Sequence, residues 1–119
     1  MALSQPYSSA GLTVSTTELS LVSGTATLQT NTTPGIYQLF LDLSALAAGD
    51  SFSLKIKEAA APSGAQGVLL LETFAPAGGA LATPIYASPA LQLANGWDMT
   101  LTRLLGTDRS IPYSIRQVA

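Results

Sequence analysis

Residues 35–57 read GIYQLFLDLSALAAGDSFSLKIK, and this stretch decides the fold. Apolar side chains recur at every second position in its two halves: Tyr37, Leu39, Leu41, Leu43, then Phe52, Leu54 and Ile56. A period of two is typical of strands that bury one face. The alternate positions of the second half are Ser51, Ser53, Lys55 and Lys57. They predict one solvent-facing side, and the connecting residues 44–48 predict a helical turn that Gly49 ends.

The flanking sequence repeats this strand pattern. We expect strands over residues 12–22, 25–30 and 68–74, the last of them central because its apolar residues fall on both faces. Residues 84–93 contain two prolines, which suits an edge strand or an irregular crossing. Residues 97–104 and 111–118 alternate again around the polar loop 106–110, and predict a hairpin.

These elements amount to about seven or eight short strands with turn signals every ~8–12 residues, and no amphipathic helix. The sequence therefore predicts an all-β fold, an antiparallel β-sandwich of jelly-roll or Ig-like type. We place one domain at residues 12–119 and an extended N-terminal arm, which the core does not hold, at residues 1–11. The expected core consists of Leu39, Leu41, Phe52, Leu54, Ile56, Leu70, Trp97, Met99, Leu101 and Ile115.

The composition is apolar and weakly charged. Of 119 residues, 47% are hydrophobic and only 10% are charged, against about 25% charged in an average domain. A free monomer with so few charges is poorly protected against association. Two interpretations stay open here, a surface largely covered by partners and a neutral surface rich in Ser and Thr.

Several classes of function are disfavoured. The net charge is −2 and the five basic residues are scattered, which argues against nucleic-acid binding. The chain has neither Cys nor His, so it lacks thiolate ligands and the commonest general base. Residues 73–97 are uncharged but are interrupted by prolines and glycines, and residues 1–11 lack the features of a secretory signal. We expect a protein that is soluble or part of an assembly, without membrane contact.

The sequence carries no recognisable catalytic constellation. Seven carboxylates are present, each alone at a strand or turn and none in a calcium-loop spacing. Neither a nucleophile elbow nor a phosphate loop occurs. We therefore predict that the protein is not an enzyme and uses no cofactor or metal. An alternative is a carbohydrate-binding module with Trp97, Tyr86 and Tyr113 exposed, although Trp97 alternates with Met99 and Leu101 and better fits a core position.

Two stretches carry a resemblance to a known class. One runs from GIYQLFLDL at residues 35–43 through Leu46 and Gly49-Asp50 to LKIKE at residues 54–58. The other comprises GWDMTL at 96–101, GTDR at 106–109 and SIR at 114–116. Together they resemble the small all-β decoration or cement proteins of tailed-bacteriophage capsids.

The resemblance implies a non-enzymatic virion structural protein that binds and stabilises the shell of the major capsid protein. It would be made in the cytoplasm of the bacterial host and located on the capsid surface. We expect a homo-oligomer, with a trimer favoured, because quasi-threefold positions are common attachment points on icosahedral shells. A phage tail or head-to-tail component is the alternative within this class.

Candidate partner contacts lie in the arm, the loops and the proline-rich segment. They are Leu3, Pro6, Tyr7, Pro62, Gln66, Pro76 and Tyr86. For the arm, we hypothesise that it orders only on the assembly and contributes to attachment.

Overall fold

A computed structural model describes residues 3–76 and 83–118. The strands in this part of the chain are β1 Leu3–Val14, β2 Leu19–Ser20, β3 Gly35–Asp42, β4 Ser51–Glu58, β5 Gly67–Phe74, β6 Ile85–Ala87, β7 Leu91–Leu93, β8 Asp98–Leu105 and β9 Arg109–Val118. No helix occurs among the described residues. The all-β prediction is confirmed.

The strands form two antiparallel sheets. Sheet A has the order β1-β9-β3-β6, with β7 also paired to β3, and sheet B has the order β2-β8-β4-β5. Counting β6 and β7 as halves of one strand gives four strands per sheet and the nested pairing of a jelly roll. The β-sandwich prediction is therefore confirmed, and strand order selects the jelly roll over the Ig-like alternative.

Strands that are adjacent in sequence mostly lie in different sheets. β8 belongs to sheet B and β9 to sheet A, so the predicted hairpin over residues 97–118 is wrong. β3 and β4 are separated in the same way, and their connection contains two tight turns where a helical turn was expected. Within sheet B, β4 and β5 do form a hairpin. A period of two reports which face a residue occupies and carries no information about the neighbouring strand.

The edge of sheet A is interrupted at Ser88, between β6 and β7. The amide of Ser88 donates to Leu39 O at 2.9 Å, while its side-chain Oγ accepts from Leu39 N at 2.9 Å. A hydroxyl thus replaces one backbone carbonyl in the ladder, which keeps the amide of β3 satisfied beside Pro89. The prediction of a proline-broken edge strand over residues 84–93 is confirmed.

The core lies between the sheets. Nine of the ten expected residues are buried: Leu39, Leu41, Phe52, Leu54, Ile56, Trp97, Met99, Leu101 and Ile115. Leu70 is only partly buried, because it lies on the edge strand β5 and packs against the core from its border. Trp97 is the largest buried side chain and lies 4.4 Å from Tyr37 between ring centroids.

The prediction of a free arm over residues 1–11 is wrong for the described residues 3–11. They belong to β1, which pairs with β9 from Leu3 opposite Val118 to Val14 opposite Arg109. Tyr7 packs edge-on against Trp97, with ring centroids 6.0 Å apart. Because this segment lacks apolar periodicity, its sequence did not reveal that it supplies a strand.

Three other strand predictions need correction. Residues 12–22 are not one strand, because the chain bends after Val14 and crosses from sheet A to sheet B before β2. Residues 25–30 are not a strand; isolated bridges at Thr25 and Asn31 border this segment. The strand at residues 67–74, β5, is an edge strand and not a central one.

The outer side of β4 is only partly solvent-facing. Lys55 and Lys57 are half-buried, as expected of a polar face, but Ser51 and Ser53 are buried. Ser53 lies opposite Thr73 on one side and Thr102 on the other, and these larger side chains cover it.

Candidate partner-binding surfaces

Most carboxylates in the described residues hold loops and strands together. Glu58 accepts hydrogen bonds from the amides of Ala94 and Asn95, at 2.6 and 3.0 Å. Glu18 accepts from Lys57 at 2.8 Å and from the hydroxyl of Thr100 at 2.5 Å. Burial raises the pKa of Glu18, but these two partners outweigh it and the net shift is downward. Acids that satisfy backbone and neighbouring groups in this way have a structural role.

Asp50 anchors the connection between β3 and β4 to the connection between β8 and β9. Its carboxylate accepts from the amides of Ala47 at 2.9 Å and Thr107 at 3.2 Å, and from Nε of Arg109 at 2.8 Å. The Ala47 amide and the Arg109 guanidinium lower its pKa to about 2. Gly106 lies directly over Asp50 with a φ of +92°, and any Cβ there would overlap the carboxylate. The acid and the glycine therefore stabilise one end of the sandwich together.

Asp98 is fully buried under the segment of residues 20–31. It accepts from Ser20 Oγ at 2.7 Å and from the amide of Gln29 at 2.9 Å. Burial raises its pKa, although these hydrogen bonds oppose the rise. Asp98 holds the 20–31 segment against sheet B in a region where it cannot reach an external substrate.

Carboxylates do not cluster as metal ligands in the described parts of the chain. Glu72, on the inward side of β5 opposite Leu54, is half-buried at the open edge of the sandwich. The described residues include no helix with the length and apolarity needed to cross a bilayer.

The aromatic platform of the carbohydrate-binding alternative is absent from the described surface. Trp97 and Tyr113 are buried, and Tyr113 donates a hydrogen bond to Leu21 O at 2.7 Å. Tyr86 is half-buried and packs edge-on against Phe74, with centroids 5.0 Å apart. A stacking platform needs exposed ring faces, so these three residues do not form one.

The residues predicted to contact a partner do not form one site. Leu3, Pro6 and Pro62 are exposed, whereas Pro76 is buried. Half of Tyr7 is buried against the core, and its hydroxyl accepts a 2.6 Å hydrogen bond from Asn31. Gln66 donates to Gln29 O and Gly96 O, at 3.0 and 3.1 Å, and thereby fixes its loop. Tyr7 and Gln66 therefore also hold parts of the chain together.

Pro62 and Gln66 line a cleft of about 490 Å³ at one end of the sandwich. Its other walls are Thr30, Thr32, Ser63, Gly64 and residues 94–96. None of these lining residues carries a charge, and the amide of Gln66 is already hydrogen-bonded. The cleft therefore has a concave shape, but its walls present no charged side chain.

The first exposed apolar surface is a strip on the edge strand β5, formed by Val68, Leu69 and Leu71. Their exposed fractions are 55, 52 and 58%. Leu71 lies opposite Lys55 and Val68 opposite Lys57, which places the strip on the outer side of sheet B. The strand is bulged near Leu69, and Glu72 points inward, two features that oppose uncontrolled strand pairing. We call these three residues the β5 strip.

The second exposed surface is the outer side of sheet A. The residues between the buried positions of β3 point outward. The strand register places Val118 of β9 opposite Ile36, with Leu3 of β1 opposite Val118 on its other side. It also places Ile85 of β6 opposite Asp42. We define the β3–β9 face by its apolar members Leu3, Ile36, Phe40, Ile85 and Val118 and its charged members Asp42 and Arg116. Leu3, Ile36 and Ile85 are 66, 42 and 58% exposed.

Arg116 lies at the centre of the β3–β9 face, over the ring of Phe40. Its guanidinium carbon is 3.7 Å from the centroid of the Phe40 ring, a cation–π contact. Its Nε is buried and finds no acceptor among the described residues. Depressions of about 220 and 170 Å³ on this face are both lined in part by Phe40 and Arg116. Sequence reasoning missed this arrangement, since the two residues come from strands that are neighbours only in space.

Comparisons with known proteins add little. No protein-family model matches the chain, and no curated protein matches it. One solved structure, described as "Structure of Eiger TNF from S. frugiperda", is similar with a TM-score of 0.44 and 16% sequence identity. The similarity covers 79% of this chain and 66% of the other, so the chain spans slightly less than two thirds of that neighbour. A likeness at this level carries no argument about function.

Proposed function

We propose that this protein is a non-enzymatic structural subunit of a bacteriophage virion, which decorates and cements the capsid by binding the major capsid protein. The sequence resemblance of residues 35–58 and 96–116 motivates this assignment. The observation that carries it is the β5 strip, where three large apolar side chains are each more than half exposed on an edge strand. Large apolar groups gathered on one exposed surface mark a protein-binding site more often than isolated ones do.

The remaining described surface is compatible with a binding role. Six of the seven carboxylates accept hydrogen bonds from the chain itself, such as those of Asp50, Asp98 and Glu58. The rigid sandwich presents the β5 strip beside loop 59–66, whose tip contains the exposed Pro62. In this proposal the strip and the loop contact the shell, and the protein acts as a homo-oligomer.

A co-sedimentation assay tests the proposal. Shells would be assembled from the major capsid protein of the same virion, mixed with the purified chain, and pelleted. We expect saturable binding to shells and loss of most of it in Leu71→Glu, which places a charge in the strip. Thr73→Glu is the control, because Thr73 is an exposed polar residue on the same strand. It should retain most of the binding.

Location in the virion separates the alternatives. Immunogold labelling of intact particles should mark the capsid surface if the proposal holds. Labelling confined to the tail or the neck would contradict it and support the alternative of a tail or head-to-tail component. A chain missing from purified virions would contradict both assignments.

A further inference from the structure

We infer that the β3–β9 face is a self-association surface on which a second copy of this chain docks. This inference goes beyond shell binding, which we assign to the β5 strip on the opposite sheet.

The face carries large apolar side chains among its polar ones, where a solvated sheet would be mainly polar. Antiparallel sheets with one wet side alternate apolar and polar positions. On β3 the outward positions include Ile36 and Phe40, and the facing positions on β9 and β6 include Val118 and Ile85. The outer side of sheet B carries the β5 strip beside Lys55 and the ion pair of Lys57 with Glu18. On sheet A the apolar side chains extend across the strands, from Leu3 on β1 to Ile85 on β6.

The charges of the face are self-complementary. Among the described residues it has one acid, Asp42, and one base, Arg116, and neither makes an ion pair with another described residue. Hydrogen bonds from Ser44 lower the pKa of Asp42, which keeps it ionised at neutral pH. A face with one unpaired charge of each sign matches a rotated copy of itself. We therefore identify the occupant as a second copy.

Arg116 supplies an additional reason for a partner. Its side chain is only half-buried on the face and makes no ion pair with another described residue. The guanidinium carbon lies 3.7 Å from the centroid of the Phe40 ring, and this contact positions the charged group for a charge-assisted hydrogen bond to a carboxylate of a docked copy. Asp42 of a neighbouring copy provides that carboxylate, while Ile85 and Leu3 of each copy meet the depressions beside Phe40.

Two matched substitutions test which surface mediates association. Ile85 and Leu71 are both 58% exposed, and they lie on opposite sheets. In sedimentation velocity from low to several hundred micromolar, the wild-type chain should shift from monomer to oligomer. We expect Ile85→Glu to raise the dissociation constant at least tenfold and Leu71→Glu to leave it within about twofold. Loss of association with Leu71→Glu and not with Ile85→Glu would overturn the inference, as would a wild-type chain that stays monomeric.

A charge exchange tests the proposed pair. Arg116→Glu places two acids on the face and should weaken association about tenfold, whereas the double variant Asp42→Lys/Arg116→Glu should recover most of it. Circular dichroism would verify that both variants fold, because Asp42 also accepts from the Ser44 amide at 3.0 Å. A folded double variant that associates no better than Arg116→Glu would show that the two charges do not meet.

A chemical measurement avoids dependence on destabilising variants. The chain has no cysteine, so a single introduced thiol reports its own accessibility. Alkylation of Ile36→Cys, on the face, should slow severalfold as protein concentration rises, while that of Leu69→Cys should stay constant. Equal rates for Ile36→Cys at all concentrations would contradict docking on the β3–β9 face. Shell binding is measured separately by co-sedimentation, so either proposal can fail without the other.

Discussion

Asp50 and Arg109 stand 59 positions apart in the chain, and Nε of Arg109 donates a 2.8 Å hydrogen bond to the Asp50 carboxylate. The contact joins the turn that leads into β4 to the first residue of β9. It therefore connects the two sheets at one end of the sandwich, where the chain passes between them twice.

The first prediction concerns acid stability. Because the pKa of Asp50 is lowered from 3.8 to about 2 in the folded protein, its ionised form stabilises the fold above pH 3.8. This stabilisation is lost as the pH falls from about 4 to about 2. Urea titrations at several pH values should show a steeper loss of unfolding free energy in this window for the wild type than for Asp50→Asn. Asp108→Asn, at a more exposed ion pair in the connection between β8 and β9, should behave like the wild type.

Asp98 should show the opposite sign. Burial raises its pKa above 3.8, so the folded state takes up a proton more readily than the unfolded state does. The wild type should therefore lose stability relative to Asp98→Asn as the pH rises from about 4 through the raised pKa. The asparagine also places an amide group near the donating amide of Gln29, which lowers stability at every pH. The measured quantity is accordingly the difference in unfolding free energy between the wild type and Asp98→Asn as a function of pH. A difference that stays constant with pH would contradict the prediction.

The N-terminal strand gives a third prediction. Removal of residues 1–11 should strongly lower the melting temperature, because it removes most of β1, which pairs with β9 and whose Tyr7 packs against Trp97. Tyr7→Ala alone should cost about 2–3 kcal/mol, since the ring is half-buried. Leu3→Ser, at a residue 66% exposed, is the control and should change little. A truncated protein with an unchanged melting temperature would show that β1 is dispensable.

Core packing supplies the fourth prediction. Leu54 is fully buried on the central strand β4, so Leu54→Ala should destabilise the protein by roughly 2–5 kcal/mol. Leu69→Ala removes the same atoms from a residue 52% exposed on β5, and should stay within about 0.5 kcal/mol of the wild type. Chemical denaturation measures both, and equal effects would contradict the assigned burial.

The faces of the strands could be predicted from the sequence, because alternation encodes burial directly. Leu39 and Leu41 on β3 and Leu54 and Ile56 on β4 are buried as their spacing indicates. The neighbours of each strand could not be predicted, since an alternating strand can pair with any other. β8 and β9 look like a hairpin in sequence, yet they lie in opposite sheets.

The candidate surfaces were harder to predict. On β5, apolar residues on both faces suggested a central strand, but the same pattern fits an edge strand whose outer side chains contact a partner. Arg116 and Phe40 come from strands separated by most of the chain, so their contact required the fold. One signal was visible, because Phe40 interrupts the polar positions of β3 between Gln38 and Asp42.

The position of β9 in sheet A has a consequence for how the protein is made. β9 lies between β1 and β3 and is their shared partner, yet it follows every other strand in the chain. During translation, β1 must therefore wait without its sheet partner, and β3 with one of its two edges open, until the residues of β9 have left the ribosome. Sheet A closes in one late step, and until then the nascent chain exposes open edges of β1 and β3 to chaperones and to other nascent chains.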